Sequence, residues 1–126
     1  MPDIIREYGR GARMLAYRKF FGLDRKQFAA ILNVRLSTLQ RWENGQDNIR
    51  SDVWDTLARI HEKFEADVAG VLSLAEESDA DRVRVRVWRS DTSQHQFPEW
   101  WQRVVSEAMI REPRIEPVFP EDDKDD

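Results

Sequence analysis

DRKQFAAILNVRLSTLQRWENG, residues 24–45, reads as two short helices with three residues between them. Asp24 is placed to cap the first helix, whose Phe28, Ala29, Ile31 and Leu32 face inward. Asn33 accepts the left-handed conformation that ends many helices. The second helix, Leu36 to Asn44, stops before Gly45. Leu39 and Trp42 give it a narrow inward seam, while Ser37, Thr38, Gln40 and Arg41 carry hydrogen-bonding groups on the rest of its surface. Such a seam docks a helix and leaves its polar side chains for a molecule outside the fold.

That pair of segments is the pattern of a helix-turn-helix. The first helix must offer a small residue where the second crosses it, and Ala29 or Ala30 serves. The turn must be short, and Asn33-Val34-Arg35 is. The outward residues near the start of the second helix must reach base edges, and Ser37, Thr38 and Arg41 have the right chemistry.

Outward from this pair, Met14, Leu15, Tyr17, Arg18 and Phe21 form the stripe of a preceding helix, closed by Gly22. Residues 1–12 are a basic N-terminal arm: Gly9 and Gly11 interrupt the turn formed by Ile4, Ile5 and Tyr8, although the segment can also extend the next helix backwards. Downstream, Ser51 reads as an N-cap and Asp52 and Asp55 oppose the helix dipole. Val53, Leu57, Ile60, Phe64, Val68, Val71 and Ala75 then mark one long amphipathic helix, which brings the first domain to residues 13–75. Trp54 is expected to pack beneath the second helix of the pair.

After the polar break at 76–81 the period changes to two. RVRVRVW, residues 82–88, sets valines against arginines and reads as a strand. SDTSQHQ is a loop, Pro98 opens a helix that Pro113 ends, and RIEPVF is a second short strand in which Pro117 forces an edge or a bulge. A two-stranded element is marginal alone. Residues 76–119 are therefore expected to form a strand-helix-strand dimerisation region through Val83, Val85, Val87, Trp88 and Trp101. Residues 120–126, PEDDKDD, read as a disordered acidic tail. The fold class is mainly α: a helix-turn-helix bundle with a long fourth helix and this C-terminal region.

The net charge of −4 over 126 residues conceals an asymmetry. Residues 1–50 hold ten Lys/Arg and five Asp/Glu, and the remainder holds ten and nineteen. The basic half suits a polyanion. Cysteine is absent, which excludes thiolate chemistry and fits a reducing cytoplasm. No apolar run approaches the ~18 residues of a membrane span, and the N-terminus lacks a secretory pattern. GRG at 9–11 precedes no strand-helix unit, and no Ser-His-Asp arrangement is present. His61 and His95 lack further ligands. The expectation is no enzyme, no metal and no cofactor.

LAYRKFFGLDRKQFAAILNVRLSTLQRWENG, residues 15–45, resembles the lambda-repressor-like, Cro/XRE family, with the likeness running over about residues 13–72. The resemblance implies DNA contacts from Arg25, near the start of the second family helix. It also implies contacts from Arg35, Leu36, Ser37, Thr38, Gln40 and Arg41 on the recognition helix. Two positions depart from the pattern: Asn33 stands where Gly is usual, and Arg35 where Ser or Thr caps the recognition helix. The C-terminal part resembles a bacterial and phage group of such regulators that dimerise through it, among them regulators of anti-CRISPR operons. The implied function is a cytoplasmic, autoregulating repressor that binds palindromic double-stranded DNA as a homodimer. The alternative is an antitoxin whose acidic half neutralises a toxin.

Overall fold

In a computed structural model, residues 10–90 and 97–124 are described; the N-terminal arm up to Gly9, His95 with most of its loop, and the last two aspartates lie outside them. The described residues form α1 (Arg10–Phe21), α2 (Arg25–Leu32), α3 (Leu36–Glu43), α4 (Ser51–Glu76), β1 (Val83–Arg86), α5 (Pro98–Arg111) and β2 (Ile115–Val118), followed by a 3-10 turn at Pro120–Asp122. The chain is thus mainly helical with one small sheet. It divides into two compact units, residues 1–61 and 62–126. The division falls inside α4 rather than after residue 75, because that helix carries buried residues of both units: Val53 and Leu57 in the first, Phe64, Val68, Val71 and Ala75 in the second.

In the first unit, α1 is described from Arg10, so the helix reaches back at least to that residue; residues 1–9 lie outside the described residues. The three short helices end in the same way. Gly22, Asn33 and Gly45 all have positive φ, at 73°, 58° and 75°. After each, the chain folds back with paired bonds: Leu23 N–H to Arg18 C=O and Gly22 N–H to Lys19 C=O; Val34 to Ala29 and Asn33 to Ala30; Gln46 to Arg41 and Gly45 to Trp42. Three successive Schellman turns therefore set the helix directions. Asn33 substitutes for glycine in the middle one because its short polar side chain tolerates this geometry. At the start of α2, Asp24 accepts from the Gln27 N–H at 2.8 Å and Gln27 returns a contact to the Asp24 N–H at 3.0 Å, a complete capping box. Arg35 gives α3 no side-chain cap.

Met14, Phe21, Phe28, Leu39 and Leu57 are fully buried at the centre of this unit, and Leu23, Trp42, Ile49 and Val53 close around them. Ala29, not Ala30, is the small buried residue of α2. Leu15, read as part of the stripe, is 37% exposed. A second close approach was not anticipated: a Cβ on Gly11 would stand 2.6 Å from the Trp42 carbonyl oxygen, so α1 and α3 meet backbone to backbone there. Trp54 packs on α1, with Tyr17 beside its ring and the Arg10 guanidinium 5.1 Å from its centroid.

In the second unit, β1 and β2 are parallel, with Val83 opposite Ile115 and Val85 opposite Pro117. The strand is shorter than the alternating run: Val83–Arg86 pair with β2 residue by residue, and Val87 adds a last bond to the Val118 carbonyl at 2.9 Å. Pro117 sits on an edge, as its missing N–H requires. Pro98 is the first helical residue of α5, and Val104, Val105 and Ala108 are buried with Val85, Val87 and Ile115. The Trp100 indole donates to Asp67 at 3.0 Å and its ring meets Phe64 edge-on. The Trp101 indole donates to the Arg86 carbonyl at 2.7 Å. Arg114 closes the end of α4, donating to the carbonyls of Ala75 (2.7 Å), Ser78 (2.8 Å) and Ala80 (3.0 Å), where a cation also opposes the helix dipole. The acidic segment, expected as a disordered tail, is placed as far as Lys124. Asp123 binds Arg86 at 2.7 Å, Glu121 binds Arg89 at 2.6 Å, and the Arg89 guanidinium stacks on Phe119. Arg86 on β1 and Arg89 beyond it supply the countercharge.

Candidate nucleic-acid interface

α3 is eight residues long, and its two sides differ sharply. Leu39 and Trp42 are buried. Arg35, Leu36, Ser37 and Arg41 are exposed, and Thr38 and Gln40 are half-buried at its margins. Arg25, at the start of α2, is also half-buried. The side chains at 35–38 and 41 thus stand on the surface of the first unit, not in its interior.

Two ion-pair systems flank this surface. At the inner end of α3, the Glu43 carboxylate is only 2% exposed. It accepts from Arg18 Nε at 2.9 Å, from Arg18 Nη2 at 3.1 Å and from Arg25 Nε at 3.1 Å. Arg18 also donates to the Leu23 carbonyl at 3.3 Å. One carboxylate therefore ties α1 and α2 to the end of α3. Arg25 keeps 42% of its side chain exposed while so held, which orients it without burying its charge.

On the outer side, Arg41 donates through Nε to Asp47 Oδ2 at 2.6 Å and through Nη2 to Asp47 Oδ1 at 3.0 Å. These bonds, and behind them the charge of its partner, raise the Arg41 pKa; the same bonds hold the Asp47 carboxyl below its ordinary range. A shallow concavity opens beside the pair, lined by Asn33, Arg35, Thr38, Asp47, Asn48 and Arg50 among others. Residues 14–62 match the family model described as helix-turn-helix.

This segment is similar to the helix-turn-helix domains of the Cro/XRE type.

It occupies about two-fifths of the chain. No curated protein matches the chain. The matched family is one of DNA-binding regulatory domains. In this segment, α2 and α3 are the paired helices and Asn33–Arg35 the turn.

Sequence reasoning did not find the part played by the loop after α3. Asp47, Asn48 and Arg50 line the concavity beside Thr38 and Arg35. The available signal was the composition of GQDNIR, residues 45–50: a positive-φ glycine, four polar residues and one aliphatic. Ile49 is that aliphatic, and its burial pins the loop to the domain. His61 is exposed and meets the ring of Phe20 edge-on at 5.8 Å. No described helix is long and apolar enough to cross a membrane.

Proposed function

We propose that the protein is a sequence-specific transcriptional regulator that represses its own gene by binding a palindromic operator as a homodimer. The observation that supports this reading is the exposed polar surface of α3, with Arg35, Leu36, Ser37 and Arg41 outward over a docked Leu39 and Trp42. A helix so presented fits a major groove, where Ser37, Thr38 and Arg41 reach base edges and Leu36 packs on a thymine methyl. Arg25 and Gln40 flank it as backbone contacts.

Dimerisation is assigned to the C-terminal unit. Val85 and Val87 are already buried within one chain, so a partner would meet mainly Val83, Trp88 and Trp101, which are half-exposed, with Leu74 and Ile110, which are exposed. Two recognition helices would then enter successive grooves ~34 Å apart.

Light scattering together with a gel shift on the DNA upstream of the gene tests the reading. The expected result is a dimer in solution and a shifted band that weakens steeply with salt. Arg41→Ala should weaken operator binding roughly 5- to 150-fold if the guanidinium reads a base. A monomer that leaves this DNA unshifted would refute the proposal.

A further inference from the structure

We propose that Asp47 is a specificity-determining residue: it grips the Arg41 guanidinium by its side edge and presents the adjoining end edge to a guanine. This rests on the DNA-binding reading above. The geometry is side-on. Asp47 engages the Nε–H and one Nη2–H of Arg41 with its two carboxylate oxygens. A guanidinium has five N–H donors in a rigid plane, so three remain. Two of them, one on Nη1 and one on Nη2, lie parallel along the end edge. That spacing is the one that the O6 and N7 acceptors of guanine accept bidentately in the major groove.

The backbone turn brings Asp47 beside Arg41. Gly45 has φ 75°, and the turn it makes returns the Gln46 N–H to the carbonyl of Arg41 itself at 2.8 Å. Ile49 is buried two residues after Asp47 and anchors the other side. The loop therefore carries Asp47 back to the residue from which it departed. Arg50, the nearby cation, pairs with Asp52 at 3.5 Å and does not compete for this carboxylate.

The pair does little for the fold. The two side chains are 56% and 41% exposed, and exposed ion pairs contribute little to stability. Its effect lies at the surface. An acidic group here repels phosphate, which weakens binding to every duplex. It also removes the rotational freedom of Arg41 before binding, which favours the one base edge that fits. Asp47 thus lowers general affinity and sharpens discrimination.

Selection from a pool of randomised duplexes, read position by position, tests this with the full-length wild type, Arg41→Ala, Asp47→Ala, Asp47→Asn and the double alanine variant. Arg41→Ala should erase a guanine preference at one position of each half-site. Asp47→Ala and Asp47→Asn should flatten that same position by about fivefold or more, leave the others intact, and bind a non-selected duplex more tightly than wild type does. The double variant should match Arg41→Ala at that position. Undiminished guanine preference in the Asp47 variants, equal flattening at all positions, or uniform weakening by Arg41→Ala would overturn the proposal while leaving DNA binding intact. A wild-type pool with no enriched sequence would overturn the DNA-binding reading with it.

Discussion

Replacing Glu43 with alanine should be among the most damaging single changes in the helix-turn-helix domain. Glu43 accepts three charge-assisted hydrogen bonds, two from Arg18 and one from Arg25. The two donors are not equivalent. Arg25 is 42% exposed and water replaces its lost partner at little cost, whereas Arg18 is 9% exposed and keeps only a neutral carbonyl, that of Leu23. The loss is dominated by the uncompensated charge of Arg18. Breaking a buried pair from one side costs about 3–5 kcal/mol. With a urea m-value of about 2 kcal/mol/M, a loss of ~4 kcal/mol moves the midpoint down by ~2 M. Urea titration followed by far-UV circular dichroism measures it. The mechanism also makes a demand on the double variant: Arg18→Met with Glu43→Leu removes both charges and should be more stable than Glu43→Ala alone. A midpoint shift under about 0.5 M for Glu43→Ala, or a double variant less stable than the single, would refute this account of the pair.

The same substitution should have opposite signs at two glycines. Gly11→Ala forces a Cβ to 2.6 Å from the Trp42 carbonyl oxygen, and overpacking of ~1–3 kcal/mol exceeds the helix-propensity gain of ~1 kcal/mol, so the thermal midpoint should fall. Gly70→Ala adds its methyl where nothing lies within 4 Å, in an exposed turn of α4, and should raise the midpoint by the propensity gain alone; equal shifts at the two sites would contradict both. For acid stability, the Arg114 backbone N–H and then its guanidinium hold the Glu112 carboxyl below its ordinary range. A depressed carboxylate stabilises the folded state above its unfolded pKa, about 4.3, and loses that contribution as pH falls through the folded value. Glu112→Gln should therefore lower the thermal midpoint at pH 7 and converge with wild type by about pH 2–3; a gap that persists in acid would show another cause.

The elements that the sequence announced are those whose causes are local. Asp24 and Gln27 cap α2 from within four residues, and the stripe from Val53 to Ala75 repeats at helical spacing. Pro98 and the alternation after Arg82 are equally self-contained. What stayed hidden depends on groups far apart in the chain. Arg18 falls in the apolar stripe of α1 and is indeed buried, but its partner lies 25 residues on. A clue existed: Glu43 is the one acidic residue between Arg25 and Gln46, so a buried arginine there had few choices. Gly11 read as an interruption because a close backbone approach leaves no mark except the absence of a side chain. The exposed face of α3 was legible in its residue types, since a narrow seam leaves the remaining positions outward. Asp47 was not, because its position depends on a backbone turn at Gly45.

The charge balance of the first half shows why a count of residues misjudges an electrostatic surface. The described acids of residues 10–50 are Asp24, Glu43 and Asp47. Each is engaged by a neighbour: Asp24 by the Gln27 amide, Glu43 by Arg18 and Arg25, Asp47 by Arg41. Arg10 and Arg13 lie over the Trp54 ring, and Arg50 pairs with Asp52. The basic excess is therefore not a uniform field of cations. Buried Arg18 serves packing. Arg25 and Arg41 lie at the surface, oriented by carboxylates. Free guanidinium groups would attract any polyanion, whereas held ones favour a partner whose acceptors match their fixed edges. The acidic residues inside the basic half set direction where the basic ones set attraction.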